Sequence, residues 1–436
     1  MSSDPIRRCT FHGVFWGLVF MAPGLVCASP QPPETIAMGS GQARGTEVHP
    51  EPELPCGGSC EHPVDGVQVV SGEGVRFRGQ GGDALLHVWE RAQLRYSWAR
   101  ADQPGTDRRQ VVEIRRASLF LEGHVFGRHN RYFTQFVFAP RDVGLATPGA
   151  ANSPIFDMFF TFDYARDLSL RVGQYKPFFS RQFIAAWGDL QFVDRAQVQG
   201  EFHLERDLGF DVFSADLGGV GLFRYYAGVY AGQGRNTVTE EPVRFSTVFR
   251  FEVLPFGPFD DYKEVDLDRT PSPKLSVGAA YAFLYDAPNS RGVHGPRPAD
   301  LGTTDIHTMA ADFMFKFRGL SATGELYLRH GDRHRGEGVD DAGAGLATDP
   351  PRNGWGYFVQ AGYLLPWVPI EIAARGGQQH ALGSSSLSRQ EELGAALGYY
   401  PGRHALKLQL DYAHYWHEDL ATAEEDQVRV QLQMQM

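Results

Sequence analysis

The side chains with chemistry to offer are basic, and their spacing would put them on one face of a sheet. Arg116, Arg131, Arg171, Arg224, Arg250, Lys316, Arg375 and Lys407 each occupy the same parity in runs where polar and apolar residues alternate. That period of two marks a strand with two unlike faces. Arg91 and Arg95 share the parity, and Lys176 and Arg181 lie in a long connection that follows one such run. Fixed positive charge along a passage replaces part of an anion's hydration, and a guanidinium fork suits an oxyanion. Carboxylates share the face: Asp157, Asp163, Asp207, Asp211, Glu252, Asp312, Glu325, Glu371 and Asp411. The alternative is therefore a lumen stiffened by cross-wall ion pairs.

Other constellations carry less. No Ser/His/Asp order, glycine-rich phosphate cradle or paired-carboxylate motif stands out, so neither an enzyme nor a cofactor is expected. His330-Gly-Asp-Arg-His334 and His414-Tyr-Trp-His417 read as solvated histidines. Asp260-Asp261 and Glu264-Val-Asp-Leu-Asp268 read as a soluble acidic loop, because the spacing does not match a calcium loop. No metal is expected. Cys56-Gly-Gly-Ser-Cys60 reads as a short-loop disulfide in an exported chain, with a metal site through His49 or His62 as the weaker reading.

The elements that must position the basic residues are strands. Sixteen candidates centre near residues 92, 118, 135, 160, 171, 210, 226, 248, 280, 311, 325, 360, 372, 395, 411 and 431. Their connections alternate long and short, with residues 255–273 as the one long connection where a short one is due. A soluble sandwich has no reason to sort loop length by parity. An outer-membrane barrel does, having short periplasmic turns and long external loops. The expected fold is all-β, a 16-stranded antiparallel transmembrane barrel. Trp98, Trp355 and Trp416 then fall at external strand ends and Tyr164 and Tyr399 at periplasmic ends, where girdles belong.

Composition agrees. The 436 residues include 50 Gly and 13% aromatics, yet only 42% are hydrophobic. Mean hydropathy is −0.30. No run of 18 apolar residues lies beyond the N-terminus, which excludes a helical membrane bundle. The formal charge of −11 argues against nucleic acid as a partner. Arg7 and Arg8, the apolar run Phe11–Val26 and Val26-Cys27-Ala28 make residues 1–28 a signal peptide. Residues 29–83 form a periplasmic segment whose Pro- and Gly-rich part, 29–75, has no periodicity, and residues 84–436 form the barrel. Membrane lipids and small anionic or polar solutes are the expected partners, in the outer membrane of a Gram-negative bacterium.

Three stretches are distinctive. Ile114-Arg-Arg-Ala-Ser-Leu119 is followed by Gly173-Gln-Tyr-Lys-Pro177 and, some thirty residues later, by Arg206-Asp-Leu-Gly209. Together they resemble the phosphate-selective porin O and P family. The resemblance runs from about residue 84 to the C-terminus. It implies a sixteen-stranded homotrimeric channel with an inward-folded third loop at the constriction, residues 175–204 here. It also implies phosphate as cargo, although of five lysines only Lys176 falls on a shared motif. The sequence departs from the family in lacking a helical segment after the signal, and in ending Met434-Gln435-Met436 rather than in an aromatic residue. The expected activity is that of an anion-preferring passive diffusion channel for phosphate or other small polar solutes; a non-specific or cation-preferring porin, or a surface barrel whose loops bind a partner, are the alternatives.

Overall fold

Alternation along the chain becomes a wall of hydrogen-bonded strands. The computed structural model describes residues 66–101, 108–144, 153–237, 242–418 and 424–436. A hairpin of β1 (Gly66–Val70) and β2 (Gly74–Gly79) precedes the wall. Its first half comprises β3 (Ala84–Ala101), β4 (Arg109–His124), β5 (Asn130–Val137), β6 (Ile155–Ala165), β7 (Leu168–Tyr175), β8 (Asp207–Ser214), β9 (Phe223–Tyr230) and β10 (Ser246–Val253). The second half comprises β11 (Lys274–Ala287), β12 (Thr303–Phe317), β13 (Leu320–His334), β14 (Gly354–Leu364), β15 (Ile370–Ala381), β16 (Gln390–Gly402), β17 (Leu406–His417) and β18 (Glu424–Gln435). Each of the sixteen expected centres falls in a different one of these strands, β3 to β18.

Every strand from β3 to β18 pairs antiparallel with the next, and β18 returns to β3 from Glu425↔Ala101 to Gln435↔Arg91. The sheet is closed, so the described strands of the wall leave no long edge unpaired. Side chains obey the parity. Leu94, Tyr96, Phe249, Phe251, Leu408 and Leu410 point outward, while Arg91, Arg95, Arg250, Glu252, Lys407 and Asp411 are buried inside. The outside is apolar, and the inside holds the charges. Among the described residues, no helix is long and apolar enough to cross a membrane.

Two connections turn into the lumen, one from each end. The loop between β7 and β8, residues 176–206, enters from the long-loop end. It carries α1 (Arg181–Ile184) and α2 (Gln197–Phe202), and Phe178, Phe179, Leu190, Phe192 and Val193 on it are almost fully buried. The anomalous connection, residues 254–273, enters from the short-turn end. Asp261, Tyr262, Glu264 and Asp266 on it are buried. The reading of this stretch as a soluble acidic loop is corrected here. Its carboxylates leave water because arginines and amide groups in the lumen replace their hydration.

The β1–β2 hairpin is a further departure, since residues 66–70 lie in a stretch without strand periodicity. β2 pairs with β3 from Val75↔Val88 to Gly79↔Ala84, below the point where β18 ends. Met436 exchanges both backbone bonds with Glu90, at 2.8 and 3.0 Å. β18 and β2 thus share one edge of β3 end to end. Cys56 and Cys60 lie outside the described residues, as does the expected signal peptide.

Candidate functional site in the lumen

The inward loop is held at its base by the two distinctive motifs. Gly173, Gln174 and Tyr175 at the end of β7 pair with Gly209, Leu208 and Asp207 at the start of β8. At Gly173, φ is +143°, and a Cβ there would lie 2.2 Å from the Met158 carbonyl oxygen. The wall can close around the loop base only without a side chain at that point. Gln174 donates to the Phe156 carbonyl and accepts from the Asn236 amide at 2.7 Å. Arg206 clasps Asp157 with two bonds of 2.8 and 3.0 Å. The Arg115-Arg116 pair sits at a register shift between β3 and β4. Such a bulge lets consecutive side chains turn the same way.

Three of the expected anion ligands are spent on a closed network. Arg181, on the inward loop, donates to Asp312 at 2.6 Å and to Asp261 at 2.7 Å. Arg224 reaches Asp261 at 3.0 Å and Glu252 at 3.3 Å. Arg250 reaches Asp312 at 2.6 Å and Glu252 at 2.8 Å. Three guanidiniums face three carboxylates, all buried, so the formal charges cancel. Burial alone would raise the Asp261 carboxyl, but Arg224 and Arg181 hold it well below the ordinary range.

The remaining candidates divide by residue type. Arg171 is paired with Asp211, Arg131 with Asp163, and Arg375 with Glu392 at 2.5 Å. Arg116 meets Asp194 at 3.4 Å, sharing it with Arg95 at 3.0 Å. The lysines instead donate to backbone carbonyls of the inward loops: Lys176 to Phe183 at 2.7 Å, Lys316 to Asp260 at 2.7 Å and Lys407 to Leu190 at 3.0 Å. Burial, with Arg195 and Arg206 nearby, pushes the Lys176 amine well below its ordinary value.

Several partners escaped the sequence reading. Arg206 lay within a distinctive stretch and Asp194 within the expected inward loop, but nothing there named Asp157 or Arg95 as their targets. Glu201 receives Arg352 at 2.8 Å and is bonded by Arg329, tying the loop to β13 and the stretch after it. Among the described residues, no group of three or more His, Cys, Asp or Glu is placed to hold a metal. His414 meets Asp426 at 2.8 Å, and His330 lies 3.4 Å from Asp332.

A closed sixteen-stranded barrel, apolar outside and charged inside, with a loop folded into its lumen, is the architecture of outer-membrane porins. The model of the phosphate-selective porin O and P family matches residues 89–246, the span that holds all three distinctive motifs. Among solved structures, Salmonella typhi OmpF in complex with daunomycin is similar at 14% identity and a TM-score of 0.52, over 81% of this chain and 98% of that one. The outer membrane channel DcaP of Acinetobacter baumannii is similar at 11% identity and 0.51, over 83% and 99%. A loop-deletion mutant of OmpT, an outer membrane protein of Vibrio cholerae, is similar at 8% and 0.50, over 80% and 99%. At these identities the likeness is one of fold. No curated protein matches the sequence.

Proposed function

We propose that the protein is a passive diffusion channel that prefers anions, carrying phosphate or another small polar solute. The supporting observation is the distribution of unneutralised charge. Most lumen arginines are matched by carboxylates, but Arg91 and Lys176 have no carboxylate within ion-pair distance among the described residues. Arg91 donates to Gln435 at 2.9 Å, and Lys176 to main-chain carbonyls. They flank one cavity between the inward loop and the wall. Positive charge there attracts anions to the lumen beside the inward loop. Lys316 and Lys407, which donate to main-chain carbonyls of the inward loops, add to that field.

Glu325 and Glu371 likewise lack a cation within ion-pair distance among the described residues, which favours the cation-preferring alternative as the second reading. The sign of the reversal potential in a salt gradient across a planar bilayer decides between them. Current carried mainly by chloride supports the anion reading, and current carried mainly by potassium overturns it. Within the same proposal, residues 1–28 direct export, the short-turn end faces the periplasm, and three copies assemble. Crosslinking in detergent should then give a species of three chains.

A further inference from the structure

We propose that the cavity holding Arg91 and Lys176 is a binding site for a planar aromatic carboxylate, which the channel takes in preference to inorganic phosphate. The inference deepens the anion-channel reading and rests on it.

Its walls are aromatic to an extent that an oxyanion passage does not require. Phe120, Phe133, Phe159 and Tyr175 line the cavity in a series with ring centroids 5.2–6.1 Å apart, which extends beyond it to Trp89, stacked on Phe120 at 3.7 Å, and to Tyr230. These rings come from six strands, so the series runs around the inner wall. Phe178 and Trp187 face it from the inward loop. The space between holds about 580 Å³ not filled by atoms, part of it open to the lumen.

The charges favour the same class. Arg171 and Arg206 line the cavity but are bound to Asp211 and Asp157. Arg91 and Lys176 remain, at a site lined mainly by rings, with Gln135 and the Arg206-bound Asp157 as its other polar side chains. Arg91 lies 5.2 Å from the Trp89 ring centre and 5.3 Å from that of Trp187. A phosphate dianion would shed its hydration against apolar faces that return no hydrogen bond. An aromatic carboxylate places one charge on the cations and its ring in offset or edge contact with the neighbouring rings.

The probes are benzoate, cyclohexanecarboxylate, benzamide and inorganic phosphate, titrated calorimetrically into the purified full chain in detergent. Benzoate is expected to bind at least tenfold more tightly than either cyclohexanecarboxylate or phosphate, and benzamide more weakly than benzoate. Lys176→Gln should weaken benzoate about tenfold, and Phe159→Leu should reduce its margin over cyclohexanecarboxylate. Equal binding of the two carboxylates, preference for phosphate, or no benzoate binding overturns the site. Calorimetry does not depend on conduction. Benzoate binding with a cation-selective reversal potential would therefore retain the site's chemistry and reject the anion-channel reading, and an anion-selective channel without benzoate binding would do the reverse.

Discussion

Arg181 and Asp261 meet at 2.7 Å although they arrive from opposite ends of the barrel. The guanidinium is carried by residues 176–206 and the carboxylate by residues 254–273. Their contact adds a buried ion-pair tie to the backbone bond between the same two loops, Glu264 amide to Asp189 carbonyl at 3.1 Å, and Asp312 and Ser276 on the wall also accept from the guanidinium, at 2.6 and 2.9 Å.

Asp261→Ala should release that tie. It leaves Arg181 and Arg224 buried with one carboxylate fewer, a change that typically costs about 3–5 kcal/mol. The temperature at which the folded band converts on a gel should fall, and single-channel conductance should rise as the two loops loosen. An unchanged conversion temperature would contradict the network's role.

Acid should loosen the same inward loop. Burial would raise Glu205, but Arg206, His203 and the Arg206 amide lower it to about 2. For a depressed carboxyl, the stabilisation is present above its ordinary value and is lost as pH falls toward 2. His203 and His294, with ring centres 4.5 Å apart, are both lowered, mainly by burial. A depressed imidazole stays neutral in the fold while the released form takes a proton, so its destabilisation begins as pH falls below about 6.5. Protease cleavage within 176–206 should increase in two ranges, below about 6.5 and again below about 4.5. His203→Phe should diminish the first.

Gly173→Ala tests the loop base. The added Cβ would lie 2.2 Å from the Met158 oxygen and 2.6 Å from the Phe159 Cα. Backbone must move, at a cost of about 1–3 kcal/mol. A reduced yield of folded barrel is expected, whereas Gly200→Ala, whose Cβ meets nothing within 4 Å, should leave the yield unchanged.

Gln435→Leu tests the seam. The Gln435 side chain accepts from Arg91 at 2.9 Å and donates to the Gly72 carbonyl at 2.9 Å. Losing a buried acceptor costs about 1–3 kcal/mol. The substitution should lower the conversion temperature and expose residues 66–79 to protease.

Much of the wall was legible because a strand's side-chain period is local. Phe249 and Phe251 point to lipid and Arg250 and Glu252 to the lumen whatever the rest of the chain does, so sixteen strands and their facing could be read one at a time. Loop parity added closure, because the two ends of a barrel face different surroundings. The β1–β2 hairpin was not legible in the same way. Gly66–Val70 pairs residue for residue with Gly74–Arg78, but β2's place in the wall depends on the vacant edge of β3 where β18 stops.

Alternation, loop parity and the three motifs therefore determined the barrel and which charges line it. Only the tertiary structure decided which of those charges are neutralised. Arg171, Arg181, Arg224 and Arg250 have the same parity signature or loop setting as Arg91 and Lys176, yet they differ in having a carboxylate within reach. That reach is set by residues up to 131 positions away, as for Arg181 and Asp312. Parity assigns a side chain to a face. The electrostatic character of that face depends on distances across the lumen, which arise only when the sheet closes and both loops fold in.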